Sequence, residues 1–519
     1  MRALSLAVRS NAVRRPVLER RAVAVAILLV AGGCASTERS ASRDAEGGLA
    51  GTGVDLAPPA SPTVFTSPKG RQVRLGEVDE LGWVLPLDIK RPRPERPAVA
   101  PLPPAVLGGP IPGPYPETRL GPDDGHSENE TSIDAVGSTV VAGWNQFTDT
   151  TLLQGVARSG DGGESWAAQV LGGHEVMSDP VVAAAGAGRW YFGYIARGAA
   201  TGSDLEVFVR RSLDDGVTWQ PPVPVTADAD VDDKPYLDAR GDEVLVAYAD
   251  FGFSPAKVRA SRSLDGGLTF GADTVLADLS VGGNGASPVI GTDGTYYVFW
   301  RDSFQEFLWM SRSTDQGANW SQDAPVAEMS PLPATFPEGF RIVNLPSAAQ
   351  DPVTGDLVVV WNDQLFGDPD ILAVRSTDGG DTWSLPVQVN DDGAGAAQFF
   401  PWITFDEGGT GWVVWYDRRH DPAGIDVYVA RTDDGGASFG PNLRVTGAPF
   451  APVLPVEPGA LAFIGDYNGI AAAGGRVFPF YQDARRGEQD VWVARIDSGL
   501  IFSDGFESGD TTAWSTTTP

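Results

Sequence analysis

The sequence predicts an all-β protein: a closed ring of four-stranded antiparallel blades, a β-propeller, seven blades in number with six as the alternative. Two observations carry this. One turn pattern, Ser/Thr-x-Asp-x-Gly-x-x-Trp/Phe, recurs six times, its aspartates 53, 51, 50, 63 and 56 residues apart, a period that suits one four-stranded unit with its loops. Between the copies lie short β-branched and aromatic runs broken by turn residues, in a chain with 63 glycines, 41 prolines and 15 tryptophans among 519 residues, the composition of an all-β fold. That length would allow several ordinary domains, but repeat architectures grow large as one unit.

Residues 1–33 read as a signal peptide. Arg9, Arg14, Arg15, Arg20 and Arg21 precede an apolar run from Ala22 to Ala31, which is shorter than the roughly 20 residues a bilayer span needs. The run ends in Val30-Ala31-Gly32-Gly33-Cys34-Ala35-Ser36. This resembles a bacterial lipobox, with Ala31 where the pattern usually has Leu, and the resemblance implies a diacylglyceryl group on Cys34. Cys34 is the only cysteine, so no intramolecular disulfide can form. The expected location is the cell envelope, at the outer membrane or surface, with membrane attachment through the lipid anchor only. Residues 34–115, dense in Pro, Gly, Ala and Ser, read as a tether that cannot bury enough apolar area to fold alone. Within it, 63–89 has strand-like character.

The propeller is expected over 116–500. The six turns centre on Asp161, Asp214, Asp265, Asp315, Asp378 and Asp434, and an arginine precedes each: Arg158, Arg211, Arg262, Arg312, Arg375 and Arg431. The turn chemistry is structural. A carboxylate and a hydroxyl satisfy the turn backbone, glycine supplies positive φ, and the aromatic residue drops between sheets. Ahead of each turn runs a strand ending in an aromatic and polar residues, such as Val358-Val359-Val360-Trp361-Asn362-Asp363. Ahead of that strand is a shorter one of small residues, introduced by Pro180, Pro235, Pro288, Pro346 or Pro401, as tolerated at a strand's first residue. A seventh unit, from Asn468, ends in a decayed turn, Ile496-Asp497-Ser498-Gly499. Its missing strand is expected from the region before residue 120, because closing the ring removes exposed sheet edges. A short C-terminal segment, 501–519, carries Phe502, Phe506 and Trp514, residues suited to recognition or packing.

The formal charge is −30, which repels phosphate backbones and argues against nucleic-acid binding. Only His126, His174 and His420 are present, and neither a zinc-protease motif, a nucleophile elbow nor a phosphate-binding loop occurs. No cofactor is implied. Asp228, Asp230, Asp232 and Asp233 could offer oxygen ligands to Ca²⁺ but lack EF-hand spacing.

In its repeated turn, over about residues 126–499, the chain resembles the Asp-box (BNR-repeat) proteins, the sialidase-like superfamily. The resemblance implies that the turns face away from the functional side. That side would carry the loops leading into the innermost strands and those joining second strands to third. The first set offers Glu130, Asp179, Lys234, Arg341, Asn344, Asp466 and Tyr467; the second offers Arg301, Asp302, Arg418 and Arg485. Glu130, Asp179, Lys234, Asn344, Arg301 and Asp302 are the binding candidates. Sialidases clamp a substrate carboxylate with three arginines, which pair with carboxylates bidentately, and attack with a tyrosine. By that resemblance Arg341, Arg418, Arg485, Tyr467 and Asp466 are the catalytic candidates. Phe340-Arg341-Ile342-Val343 partly matches the family's arginine motif but lacks its proline and sits mid-chain. A repeated structural ion pair, Asp417 with Arg418 and Asp483 with Arg485, is the favoured alternative for those arginines. The expectation is a monomeric surface propeller that binds a glycan or protein at its central mouth. An exo-sialidase-type glycoside hydrolase and an envelope scaffold are the alternatives.

Overall fold

Seven four-stranded antiparallel sheets close into a ring. The structure is a computed structural model. It describes residues 115–498 except 149–150, 175, 198–204, 227–229, 277–280, 334, 337–338, 394 and 454–463, together with two short strands, Val64–Thr66 and Gln72–Arg74, that pair with each other. The expected signal peptide, Cys34, most of the tether and the segment 501–519 lie outside the described residues.

The innermost strands, in blade order, are Glu128–Val136, Met177–Ala184, Asp232–Arg240, Asn284–Ile290, Ser347–Gln350, Gln398–Phe405 and Gly469–Ala473. In the first six blades each pairs with the next strand in sequence, that with the third and the third with the fourth, so these blades are meanders. The second strands are the hydrophobic runs seen in the sequence. Leu357–Asp363 and Gly411–Asp417 are buried along their whole length, because neighbouring blades cover both faces, and Val, Trp and Tyr suit such a doubly packed surface.

The seventh blade is completed from the other end of the propeller. Glu117–Arg119 pairs antiparallel with Asp490–Ala494 as the fourth strand, and Ile496–Asp497 folds back on the start of Arg476–Asp483. Charge reinforces this closure. Glu117 accepts from Arg485 at 2.7 and 2.9 Å and from the Tyr481 hydroxyl, and Arg119 pairs with buried Asp490 at 3.0 Å.

The repeated turn joins third strand to fourth in six blades, opposite the loops that lead into the innermost strands. In the second blade the Ser212 hydroxyl donates to Asp214 at 2.7 Å and accepts from the Gly216 amide at 2.9 Å, while the Thr218 amide and hydroxyl donate to Asp214 at 2.8 and 2.6 Å. Gly216 sits at φ 79°, and a Cβ there would lie 2.8 Å from the Val141 side chain of the preceding blade. Glycine is required twice over, by backbone hand and by the close approach of two blades.

The arginine before each turn has a task that the motif alone did not disclose. Arg158 donates to the Asp215 carbonyl at 2.7 Å, Arg211 to Gly266 at 3.0 Å, Arg262 to Asp315 at 3.3 Å, Arg312 to Gly379 at 2.8 Å and Arg375 to Asp434 at 2.9 Å. Each arginine thus clasps the turn of the next blade. Arg431, which precedes the last intact turn, bonds Asp433 of its own turn. Across the seam between the last and first blades Arg476 takes over, donating to the Asp161 and Gly162 carbonyls at 3.2 Å each. Replacing Arg375 by Ala should lower stability by about 1–2 kcal/mol, the range for a charged hydrogen bond partly open to water. Chemical denaturation of the variant beside the unsubstituted protein checks the magnitude.

A buried charge cluster at the propeller mouth as the candidate functional site

The innermost strands do not run straight to the mouth. Their pairing registers slip between Asn129 and Ser132, Ser178 and Val181, and Asp233 and Tyr236. At each slip one residue takes a left-handed backbone: Glu130 at φ 51°, Asp179 at 56° and Lys234 at 52°. Such values are uncommon outside glycine, and a bulge of this kind re-aims the side chain it carries. Gly285 and Phe400 hold the same place in the fourth and sixth blades.

The result is one buried cluster. Lys234 Nζ lies 3.2 Å from Glu130, 3.1 Å from Asp179 and 2.8 Å from Asp466. Asp466 is also held by both arms of the Arg341 fork, Nε at 2.7 Å and Nη2 on the second oxygen. Asp233 accepts from the Lys234 amide at 3.0 Å and shares a hydrogen bond with Asp179. Glu130, Asp179 and Lys234 come from the first three blades, Arg341 from the loop into the fifth and Asp466 from the loop into the seventh. The ammonium and guanidinium therefore tie five blades together. All but Arg341 are buried, and Arg341 is nearly so.

Burial sorts the protons. Desolvation, reinforced by the Asp179 charge, pushes Glu130 well above the carboxylate range. Burial likewise raises Asp233 to about 7, against the pull of Lys234. Burial would also raise Asp466, but Arg341 and Lys234 outweigh it and hold that group low; Asp179 is held at about 2 against burial by Lys234 and its hydrogen bonds. Desolvation would lower Lys234, and its four carboxylate neighbours raise it instead. With Glu130 and Asp233 protonated, two anions face two cations, which a water-poor site tolerates far better than four.

Deeper along the axis lies an aromatic layer. Tyr236 of the third blade meets Trp402 of the sixth at 5.1 Å and Tyr467 of the seventh at 5.6 Å between ring centres, both edge-on. The Tyr467 hydroxyl donates to the Pro180 carbonyl of the second blade at 3.3 Å, and Lys234 stands 5.8 Å from its ring.

The structure thus brings together Arg341, Asp466, Tyr467, Glu130, Asp179 and Lys234, with Arg301 within reach of the Asp466 charge. Arg301 is buried; desolvation lowers it to about 10, opposed by the charges of Asp302 and Asp466. Asn344 is buried with neither amide atom bonded among the described residues. Asp302 is structural: it accepts from the Trp309 indole at 3.3 Å and from the amides of Glu306 and Phe307. Arg485 is engaged by Asp483 and Glu117. The expected pairing of Asp417 with Arg418 is corrected. Asp417 holds Arg419, at 2.7 Å, because the next residue but one can curl back onto the strand end, as Arg485 does on Asp483. Arg418 instead stands 5.0 Å from the Phe336 ring. Of the acidic run, Asp228 lies outside the described residues, and Asp233 turns into the central cluster. Sequence reasoning missed Tyr236 and Trp402, whose meeting joins blades about 170 residues apart in the chain. It also missed the bulges, whose only signal is a polar residue followed by Pro in Asp179-Pro180 and Lys234-Pro235.

No protein-family model and no curated protein matches the sequence. Among solved structures, Trypanosoma rangeli sialidase is similar at 14% identity over 73% of this chain and 56% of its own, with a TM-score of 0.40. A leech intramolecular trans-sialidase matches at 12% identity over 75% and 70%, TM-score 0.41. An α-L-arabinanase of Penicillium chrysogenum matches at 14% over 59% and 94%, TM-score 0.42. The chain spans little more than half the length of the trypanosomal enzyme, and likeness at these identities is likeness of fold.

Two substitutions test the cluster. Lys234→Met leaves buried carboxylates without their cation and should cost about 3–5 kcal/mol, read as a fall in the denaturation midpoint. Asp233→Asn keeps the shape of the protonated acid. The raised carboxyl of Asp233 stabilises the fold fully below its unfolded value near 4 and loses that contribution as pH rises through about 7. The amide loses nothing, so the stability of Asp233→Asn relative to the unsubstituted protein should increase from pH 5 to pH 8. Denaturation at the two pH values checks the sign.

Proposed function

We propose that this chain is a non-catalytic binding propeller that takes a glycan or protein ligand over its mouth face. One observation carries the reading: the arginine and the tyrosine that a sialidase-type reaction would need at this mouth are already engaged within the fold. The Arg341 fork is closed on Asp466, leaving no free pair of donors for a substrate carboxylate. Tyr467 is buried, its phenol bonded to a backbone carbonyl and pushed well above its usual titration by burial and by the carboxylates around it. A nucleophile needs both access and a nearby base. What the mouth does present is a rim of loops. In the loop between the second and third strands of the third blade Phe253 is exposed, with Arg259 5.5 Å from its ring, a pairing suited to stacking and polar contact with a sugar or side chain.

Export belongs to the same proposal, with Cys34 lipidated after removal of 1–33 and the propeller displayed from the envelope on the 34–115 tether. Mass analysis of the mature chain for a diacylglyceryl adduct on Cys34, absent in Cys34→Ser, tests that part.

For the binding reading, a glycan array and a panel of fluorogenic sialosides and aryl glycosides are run on the same protein. The expected outcome is no turnover, with binding weakened by Phe253→Ala. Turnover that survives purification and is lost in Tyr467→Phe, a change that keeps the ring and its packing, would overturn the proposal in favour of a hydrolase. Silence in both assays would favour a scaffold.

A further inference from the structure

The face opposite the mouth carries a feature that the repeat itself singles out. In the turn Ser/Thr-x-Asp-x-Gly-x-x, the second and sixth residues point to solvent and are free to vary. In four turns they are Gly160 and Glu164, Thr314 and Ala318, Thr377 and Asp381, and Asp433 and Ala437, all small or polar. In the second and third blades they are Leu213 with Val217 and Leu264 with Leu268. These four are 52%, 52%, 47% and 52% exposed. The other copies show that neither the turn nor the packing of the blades needs an apolar residue there.

The four side chains belong to one surface. The clasp of Arg211 on the Gly266 carbonyl joins the two turns at 3.0 Å. Gln169 of the first blade's outer strand donates to the Val217 carbonyl at 3.3 Å, so the edge of the first blade borders the strip. Of the nine exposed large apolar side chains among the described residues, four lie on this strip; scattered single exposures need no explanation, but a cluster does.

Two exposed carboxylates flank the strip: Asp214 and Asp265 stay ionised through the hydroxyl and amide bonds of their turns, Asp265 at about 2. Arg189 is paired with Asp242, and Arg211 is turned onto the Gly266 carbonyl and Gln220. A second copy of a chain with a charge of −30 would bring like charge against like.

We propose that Leu213, Val217, Leu264 and Leu268 form a docking surface for a cationic amphipathic segment of a partner protein, its apolar row on this strip and its lysines or arginines toward the flanking aspartates. The surface lies opposite the mouth, so a ligand there and a partner here can be held at the same time.

The test uses the full chain and two synthetic 14-residue helices, one of Leu and Lys and one of Leu and Glu, at about 0.15 M salt, where distant surface charges are screened. The Leu/Lys helix is expected to bind and to slow hydrogen exchange at 212–218 and 263–269. Binding should weaken at least tenfold in the double variant Leu213→Ser, Leu268→Ser, whose thermal unfolding should stay unchanged because both positions are exposed. The Leu/Glu helix should not bind. Protection elsewhere on the acidic surface, affinity unchanged in the double variant, or equal binding of the two helices would overturn the proposal. Concentration-dependent self-association that the double variant abolishes would also overturn it, by making the occupant a second copy.

Discussion

A single ammonium, that of Lys234, is shared by carboxylates from the first, second and seventh blades, all within 3.2 Å. Removing an ammonium from water is expensive, and its attraction to buried carboxylates repays the cost only when the geometry is good and the surplus charge is neutralised. Both conditions are met by construction. Left-handed bulges at Glu130, Asp179 and Lys234 turn three consecutive innermost strands toward one point, and burial favours the protonated forms of Glu130 and Asp233, which reduces the excess negative charge. The bulges themselves are strained, and the contacts they create hold them in place. The mouth of the ring therefore holds a buried, largely charge-compensated cluster backed by the rings of Tyr236, Trp402 and Tyr467.

Two further systems hold the ring away from its axis. At the outer seam, Glu117–Arg119 supplies the strand that the seventh unit lacks, locked by Arg485 and Tyr481. Under the blades, the arginines before the first five turns reach the backbone of the next turn, and Arg476 makes the same kind of contact across the seam between the last and first blades. The clasp binds carbonyl oxygens, so it constrains the next turn's backbone and leaves its outward side chains free. That freedom is what allows Leu213, Val217, Leu264 and Leu268 to stand where the other turns carry small or polar residues.

The same physical fact separates a binding reading from a catalytic one. A guanidinium in a clamp must present donors to incoming substrate, whereas that of Arg341 is satisfied by Asp466 within the fold. Arg485 is likewise spent on closing the ring. Arginines, a tyrosine and carboxylates gathered at a propeller mouth can thus serve architecture as readily as chemistry, and fold likeness alone does not choose between them.

The sequence by itself determined the architecture: six copies of one turn, with hydrophobic runs between them and a seventh unit short of a strand, dictate a ring of blades closed by residues before 120. These features are local, set by hydrogen bonds and backbone hands within a few residues, and so they are written as a pattern. It also placed Glu130, Asp179, Lys234, Arg341, Asp466 and Tyr467 on loops of one face. Only the tertiary structure decided that these residues consume one another. That outcome depends on distances between blades more than 100 residues apart, on bulges that reverse where a side chain points, and on burial deep enough to move protons between acids. The partner of Asp417, Arg419 and not Arg418, was settled the same way: adjacent residues on a strand face opposite sides, and only the curl of the loop in three dimensions shows which of them returns.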